Sequence, residues 1–110
     1  MPMWDAEIQK IISAVSEKYS MAPKDIKKKT NRQEVVFPRH VAMYLVRRLT
    51  MASLPQIGRS FGGKHHTTAL HGIEKINNLR HTGELVGKQL DELERVLGLE
   101  VRREQVLGRN

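Results

Sequence analysis

Apolar side chains along the chain recur at intervals of three and four residues, the period of an amphipathic helix, and no stretch alternates as a half-buried strand would. Trp4, Ile8, Ile11, Ile12, Val15 and Tyr19 share one face and predict a first helix over residues 4–19. Pro23, whose fixed φ suits a first turn, opens a short second helix that buries Ile26. Residues 27–33 are polar and basic and are expected to form an exposed loop. A third helix is expected from about Pro38, with Val41, Ala42, Leu45 and Leu49 inward and Arg39, Arg47 and Arg48 outward.

The second half has sharper punctuation. Ser53 is placed to cap a fourth helix over 54–61, and Gln56 three residues later completes a capping box. Ile57 and Phe61 face inward. Gly62-Gly63 ends that helix, because glycine adopts the left-handed conformation of a tight turn. A fifth helix over about 66–79 buries Ala69, Ile73 and Ile76, with Gly72 on the same face for a close helix approach. A sixth runs from beyond Thr82 to Leu97, with Gly98 as its stop. The pattern predicts an all-α bundle of six helices over residues 1–98 and a polar C-terminal tail over 99–110. Within it, a short helix, a two-glycine turn and a longer helix opening on basic and hydroxyl side chains have the layout of a helix-turn-helix.

Length and charge bound the function. The 110 residues suffice for one domain with a modest core. Cysteine is absent, which excludes disulfides and thiolate metal sites. No apolar run reaches membrane-spanning length, and the N-terminus is amphipathic rather than a signal peptide, so a cytoplasmic protein is expected. Phe and Tyr total only four, too few for a single-strand stacking platform. The net charge of +7 is concentrated: residues 24–82 hold twelve basic against three acidic side chains, while both flanks are net −1. All five histidines fall in the same basic block. Such a concentration suits a polyanion such as a phosphate backbone.

Catalytic chemistry finds no support in this pattern. His66 and His71 are separated by about 500° of helical rotation and point to different sides, unlike a paired metal motif. Gly62-Gly63-Lys64 lacks the upstream glycine of a nucleotide-cradling loop, and the carboxylates are scattered. The expectation is a protein without enzymatic activity, cofactor or metal. DNA recognition uses the same residues naturally. Thr67 and Thr68 at a helix start can bond phosphate or base edges and touch a thymine methyl, although ordinary N-capping explains such a pair as well. His65 and His66 can donate to guanine N7 or O6 or to phosphate, and the helix N-terminus itself favours an anion.

Pro38-Arg39-His40-Val41-Ala42-Met43-Tyr44-Leu45, Leu49-Thr50, the run from Ser53 to His71 and Lys75-Ile76 closely resemble the C-terminal DNA-binding domain of the bacterial replication initiator DnaA. The resemblance spans about Trp4 to Leu97 and is densest from Pro38 to Ile76. It implies a helical bundle related to Trp repressor that binds a short asymmetric box in double-stranded DNA as a monomer, among other replication proteins. It further implies that His66, Thr67 and Thr68 read bases in the major groove and that His71 contacts phosphate. Arg39 falls on a base- and backbone-contacting position, and Arg47, Leu54 and Pro55 on backbone-contacting ones. The family inserts a loop arginine into the minor groove; here that place is Asn31, with Lys29 and Arg32 beside it. Arg32 is therefore assigned to bases, and Lys29 and Lys64 to phosphates.

Two departures shape the expectations. His65 stands where the family has an acidic residue, so an acceptor for cytosine N4 is replaced. The family's ATPase domain does not fit in 110 residues. The chain is either an excised domain or a free-standing relative, and Met1 and the tail after Leu97 favour the latter. Competing readings are a protein-interaction module whose DNA surface has decayed, and a dimeric regulator of the Trp-repressor type. The latter would use Val86, Leu90, Leu93 and Leu97 as a helix–helix seam, and packing of that stripe on the chain's own core is the simpler alternative.

Overall fold

A computed structural model describes residues 4–98, which form six helices and no strands. The helices are α1 (Trp4–Lys18), α2 (Pro23–Ile26), α3 (Gln33–Leu49), α4 (Leu54–Ser60), α5 (His66–Thr82) and α6 (Glu84–Gly98). The expected tail over 99–110 and the side chain of Trp4 lie outside the described residues. No described helix is long and apolar enough to cross a membrane.

The core follows the helical stripes. Ile8, Ile11, Ile12 and Val15 of α1, Ile26 of α2 and Val41, Ala42, Leu45 and Leu49 of α3 are buried, as their spacing predicts. Ile57, Phe61, Ala69 and Ile76 close the other side, while Ile73 is only half-buried. Fully burying side chains of this size contributes about 1.5–3 kcal/mol each. On α6, Leu90, Leu93 and Leu97 are buried and Val86 packs against the same cluster. That stripe is therefore occupied by the chain's own core and is not available as a seam between protomers.

Two boundaries and one side-chain position differ from the expectation. First, α3 begins at Gln33, five residues before Pro38. Proline removes one intrahelical bond, to the residue four back. Here that residue is Glu34, in the first turn of the helix, where the loss of a single bond is tolerated and the helix runs through. Second, α5 continues beyond Leu79 to Thr82. The Thr82 hydroxyl donates to the Asn78 carbonyl at 2.9 Å, and His81 Nδ1 lies 2.7 Å from that of Asn77, so side chains satisfy the final turn. Third, Arg39 is not outward. It is 5% exposed and lies beneath the 27–32 loop.

Polar contacts tie α3, α5 and α6 together away from that loop. Arg80 of α5 donates to the Tyr44 hydroxyl at 3.0 Å, to both Glu94 oxygens at 3.0 and 2.9 Å, and to Asp91 at 2.7 Å. Arg48 pairs with the same buried Glu94. A shared bidentate carboxylate keeps Arg80 charged, raising its pKa above the ordinary guanidinium value.

His40 of α3 sits where α5 comes closest, at Gly72. A Cβ there would lie 2.5 Å from His40 Cδ2. Burial chiefly, then the charges of Lys75 and Arg39, lower the His40 pKa from its ordinary 6.5. The folded state therefore prefers the neutral ring, and the unfolded chain takes up the proton first on acidification. The associated stability is full above about pH 6.5 and is lost as pH falls towards the folded-state pKa. Thermal melts between about pH 7.5 and 5 should show a smaller decline in Tm for His40→Gln than for the parent. Parallel declines would remove His40 from the acid response.

Candidate nucleic-acid interface

The turn between α4 and α5 is built by missing side chains. Gly58 is buried in α4, and a Cβ on it would overlap the Lys64 carbonyl oxygen. The chain passes directly over it, and the Lys64 N–H donates to the Gly58 carbonyl at 2.8 Å. Gly62 and Gly63 have φ of +89° and +74°, the left-handed conformations that reverse the chain. Ser53 and Gln56 form the expected capping box at the other end of α4. The Gln56 N–H donates to Ser53 Oγ at 3.3 Å, and the Ser53 N–H donates to Gln56 Oε1 at 2.9 Å.

The turn delivers His65, His66, Thr67 and Thr68 to the start of α5, all four exposed. His65 is the N-cap. The Thr67 N–H donates to its Nδ1 at 3.2 Å, and Thr67 Oγ1 lies 2.7 Å from the same nitrogen. A nitrogen that accepts these hydrogens is unprotonated, so the neutral ring carries its proton on Nε2. His65 thus presents a donor to solvent, and the Thr67 hydroxyl is engaged within the chain. The His66 ring stacks on that of His65, with centroids 4.2 Å apart and 33° between planes. His71 is exposed on the next turn of the helix.

Two groups of cations lie on the segments that border α4 and the glycine turn. In one, Arg47 is exposed and donates to the Ala52 carbonyl at 3.3 Å, which holds it beside the first residues of α4. Leu54 there is half-buried and Pro55 is exposed. Thr50 organises the link: its hydroxyl donates to the Val46 carbonyl at 2.7 Å and accepts the Ala52 N–H at 3.1 Å. Arg47, Leu54 and Pro55, separated in sequence, are thereby gathered at one place.

In the other, Lys28, Lys29 and Arg32, together with Asn31, are exposed on the loop between α2 and α3. Arg32 pairs with Glu34 at 2.6 Å, both largely in solvent, an attachment worth little. The loop touches the turn, because a Cβ on Gly62 would overlap the Lys27 carbonyl oxygen. Lys64 sits half-buried at this junction. Desolvation chiefly, then the charges of Arg39 and Lys29, lower its pKa. Lys64, Arg39 and Lys29 thus lie close enough to act on one another, a setting that suits an anion.

Arg39 is the sequence-assigned residue that departs from its expected place. Its Nε donates to the Ile26 carbonyl at 2.8 Å, Nη1 to that of Thr30 at 3.3 Å and Nη2 to that of Lys28. Nothing in the spacing of α3 foretells this, since the three carbonyls belong to the end of α2 and the loop that follows it. Sequence reasoning also passed over two exposed cations, Arg59 on α4 and Lys75 on α5. The second had a signal, since it lies four residues beyond His71 on the same helical stripe. Among the described residues no three His, Asp or Glu side chains converge as a metal site would require.

Comparisons with known proteins agree with this geometry. The chromosomal replication initiator protein DnaA of Bartonella quintana (strain Toulouse) is 43% identical over 91 residues, covering 83% of this chain and 18% of that protein. A solved structure described as a DNA replication initiation factor matches with a TM-score of 0.77 and 26% identity, over 87% of this chain and 29% of the other. The chain therefore spans less than a fifth of the length of the initiator it matches. The model of the bacterial DnaA helix-turn-helix matches residues 8–76, which include the cationic loop, α4, the glycine turn and the first two-thirds of α5. The chain belongs to the bacterial DnaA helix-turn-helix family.

Proposed function

We propose that this protein binds double-stranded DNA sequence-specifically, at sites resembling DnaA boxes, in replication initiation or its control. The observation that carries the reading is the row His65, His66, Thr67 and Thr68, exposed at one helix start, with cations on the segments that border α4 and the glycine turn. A helix N-terminus offers base-reading side chains to the major groove while its free N–H groups favour phosphate. In this reading His66, Thr67 and Thr68 contact bases. Arg47, Lys64, His71, Lys29 and the α4 start at Leu54-Pro55 hold the backbone. The loop presents Arg32 beside Asn31 to the minor groove. With the α6 stripe packed internally, one chain binds one asymmetric site.

Binding should be strongly salt-dependent. With roughly five to seven phosphates neutralised, log K falls against log salt with a slope near −4.5 to −6. Arg47→Ala should weaken binding to all sequences about equally and flatten that slope by about one unit, since phosphate carries no sequence information. His66→Ala should cost roughly 1–3 kcal/mol on the preferred site and little on random DNA. Fluorescence titrations on both DNAs at several salt concentrations check the pair of outcomes, and reversed classes would refute the assignment.

The His65 tautomer sharpens the expected sequence preference. An aspartate at this place accepts from cytosine N4, whereas the outward Nε2–H donates, which suits guanine O6 or N7. The preferred box should therefore keep the A/T-rich half of the family's site and change at the base pair read from this position. His65→Asp can still cap α5 through a side-chain oxygen, so folding is preserved. Comparing parent and variant on boxes differing at that base pair should show guanine favoured by the parent and cytosine by the variant. Identical preferences would restrict His65 to its capping role.

A further inference from the structure

The residue that the sequence assigns to DNA and the fold removes from it is Arg39. The residue is 5% exposed, and its guanidinium donors converge on the carbonyls of Ile26, Lys28 and Thr30. Three alternate carbonyls on one planar fork, one at the end of α2 and two in the loop that follows, fix the path of that loop. The same loop abuts the helix-turn-helix at the Lys27 carbonyl, where Gly62 leaves no room for a side chain. Lys28, Lys29 and Arg32 are exposed on the far side of this attachment. The loop is thus held from below by α3 and laterally by the turn that starts α5.

We propose that Arg39 is a positioning residue for DNA binding, holding the cationic loop of residues 27–32 at a fixed offset from the start of α5 so that both engage one duplex together. The inference rests on the DNA-binding reading above and adds to it how the second contact is aligned. Charge is not the property used, because the guanidinium contacts carbonyls and is covered. Shape is the property used. A guanidinium presents donors in a rigid planar fork, whereas an ammonium is a compact point and cannot span the same three acceptors.

The test compares the full chain, Arg39→Lys, the loop variant carrying Lys29→Ala and Arg32→Ala, and the triple variant. All are titrated against the duplex most enriched by the parent from a random pool. Arg39→Lys should bind about tenfold or more weakly, and its salt slope should flatten by about two units although its charge is unchanged, because Lys29 and Arg32 no longer reach the duplex and displace its counterions. In the loop-variant background the same substitution should cost no more than about twofold. Near-parental binding by Arg39→Lys, or full multiplication of the two losses, would overturn the proposal and make Arg39 a direct phosphate contact. A parent that enriches no duplex would overturn the DNA-binding reading instead. Should Arg39→Lys fail to fold, NMR of the parent decides. The Arg39 Nε–H should exchange slowly in the free chain and keep its chemical shift on the duplex, and a large shift on binding contradicts the positioning role.

Discussion

The whole interface hangs on the space above Gly58. Any side chain there would occupy the position of the Lys64 carbonyl oxygen, and α5 could no longer start where it does. The close approach fixes three things together. The glycine turn reverses the chain, the Lys64 N–H closes onto the Gly58 carbonyl, and His65 caps the helix from its own Nδ1. The row from His65 to Thr68 is exposed because the residues just before it are packed against α4. Preorganisation of this kind lowers the ordering cost on binding and makes the angle between α4 and α5 a property of the fold.

Charge is divided between structure and surface. Arg80 and Arg48 are drawn onto Glu94 and Asp91 at the α3–α5–α6 junction, and Arg39 is drawn onto loop carbonyls. These arginines hold helices and a loop in place. Among the exposed cations, Lys28, Lys29, Arg32, Arg47 and Arg59 belong to the loop and to the α3–α4 region, and Lys75 lies further along α5. A net positive balance therefore becomes a local field, the quantity that matters for a polyanion.

Much of this was legible in the sequence because it depends on local rules. Helical periodicity located all six helices, Ser53 and Gln56 announced the α4 cap, and Gly62-Gly63 announced the turn. The exposed helix start followed from those boundaries. What the sequence concealed depends on partners distant along the chain. Proline is a strong stop signal, yet α3 runs through Pro38, which falls within its first two turns. An arginine between two apolar stripes reads as solvated, and Arg39 is buried because loop carbonyls supply its acceptors. His65 was legible as a residue of the helix start, but its tautomer depends on the Thr67 N–H that it caps.

The central claim is that one chain reads one asymmetric duplex with a helix start and an adjoining loop. Selection of bound duplexes from a random pool by the full chain addresses it directly. The account predicts a single enriched motif without internal two-fold symmetry, A/T-rich on one side, retained at moderate salt. A palindromic motif with two half-sites, or no enriched motif at all, would contradict it.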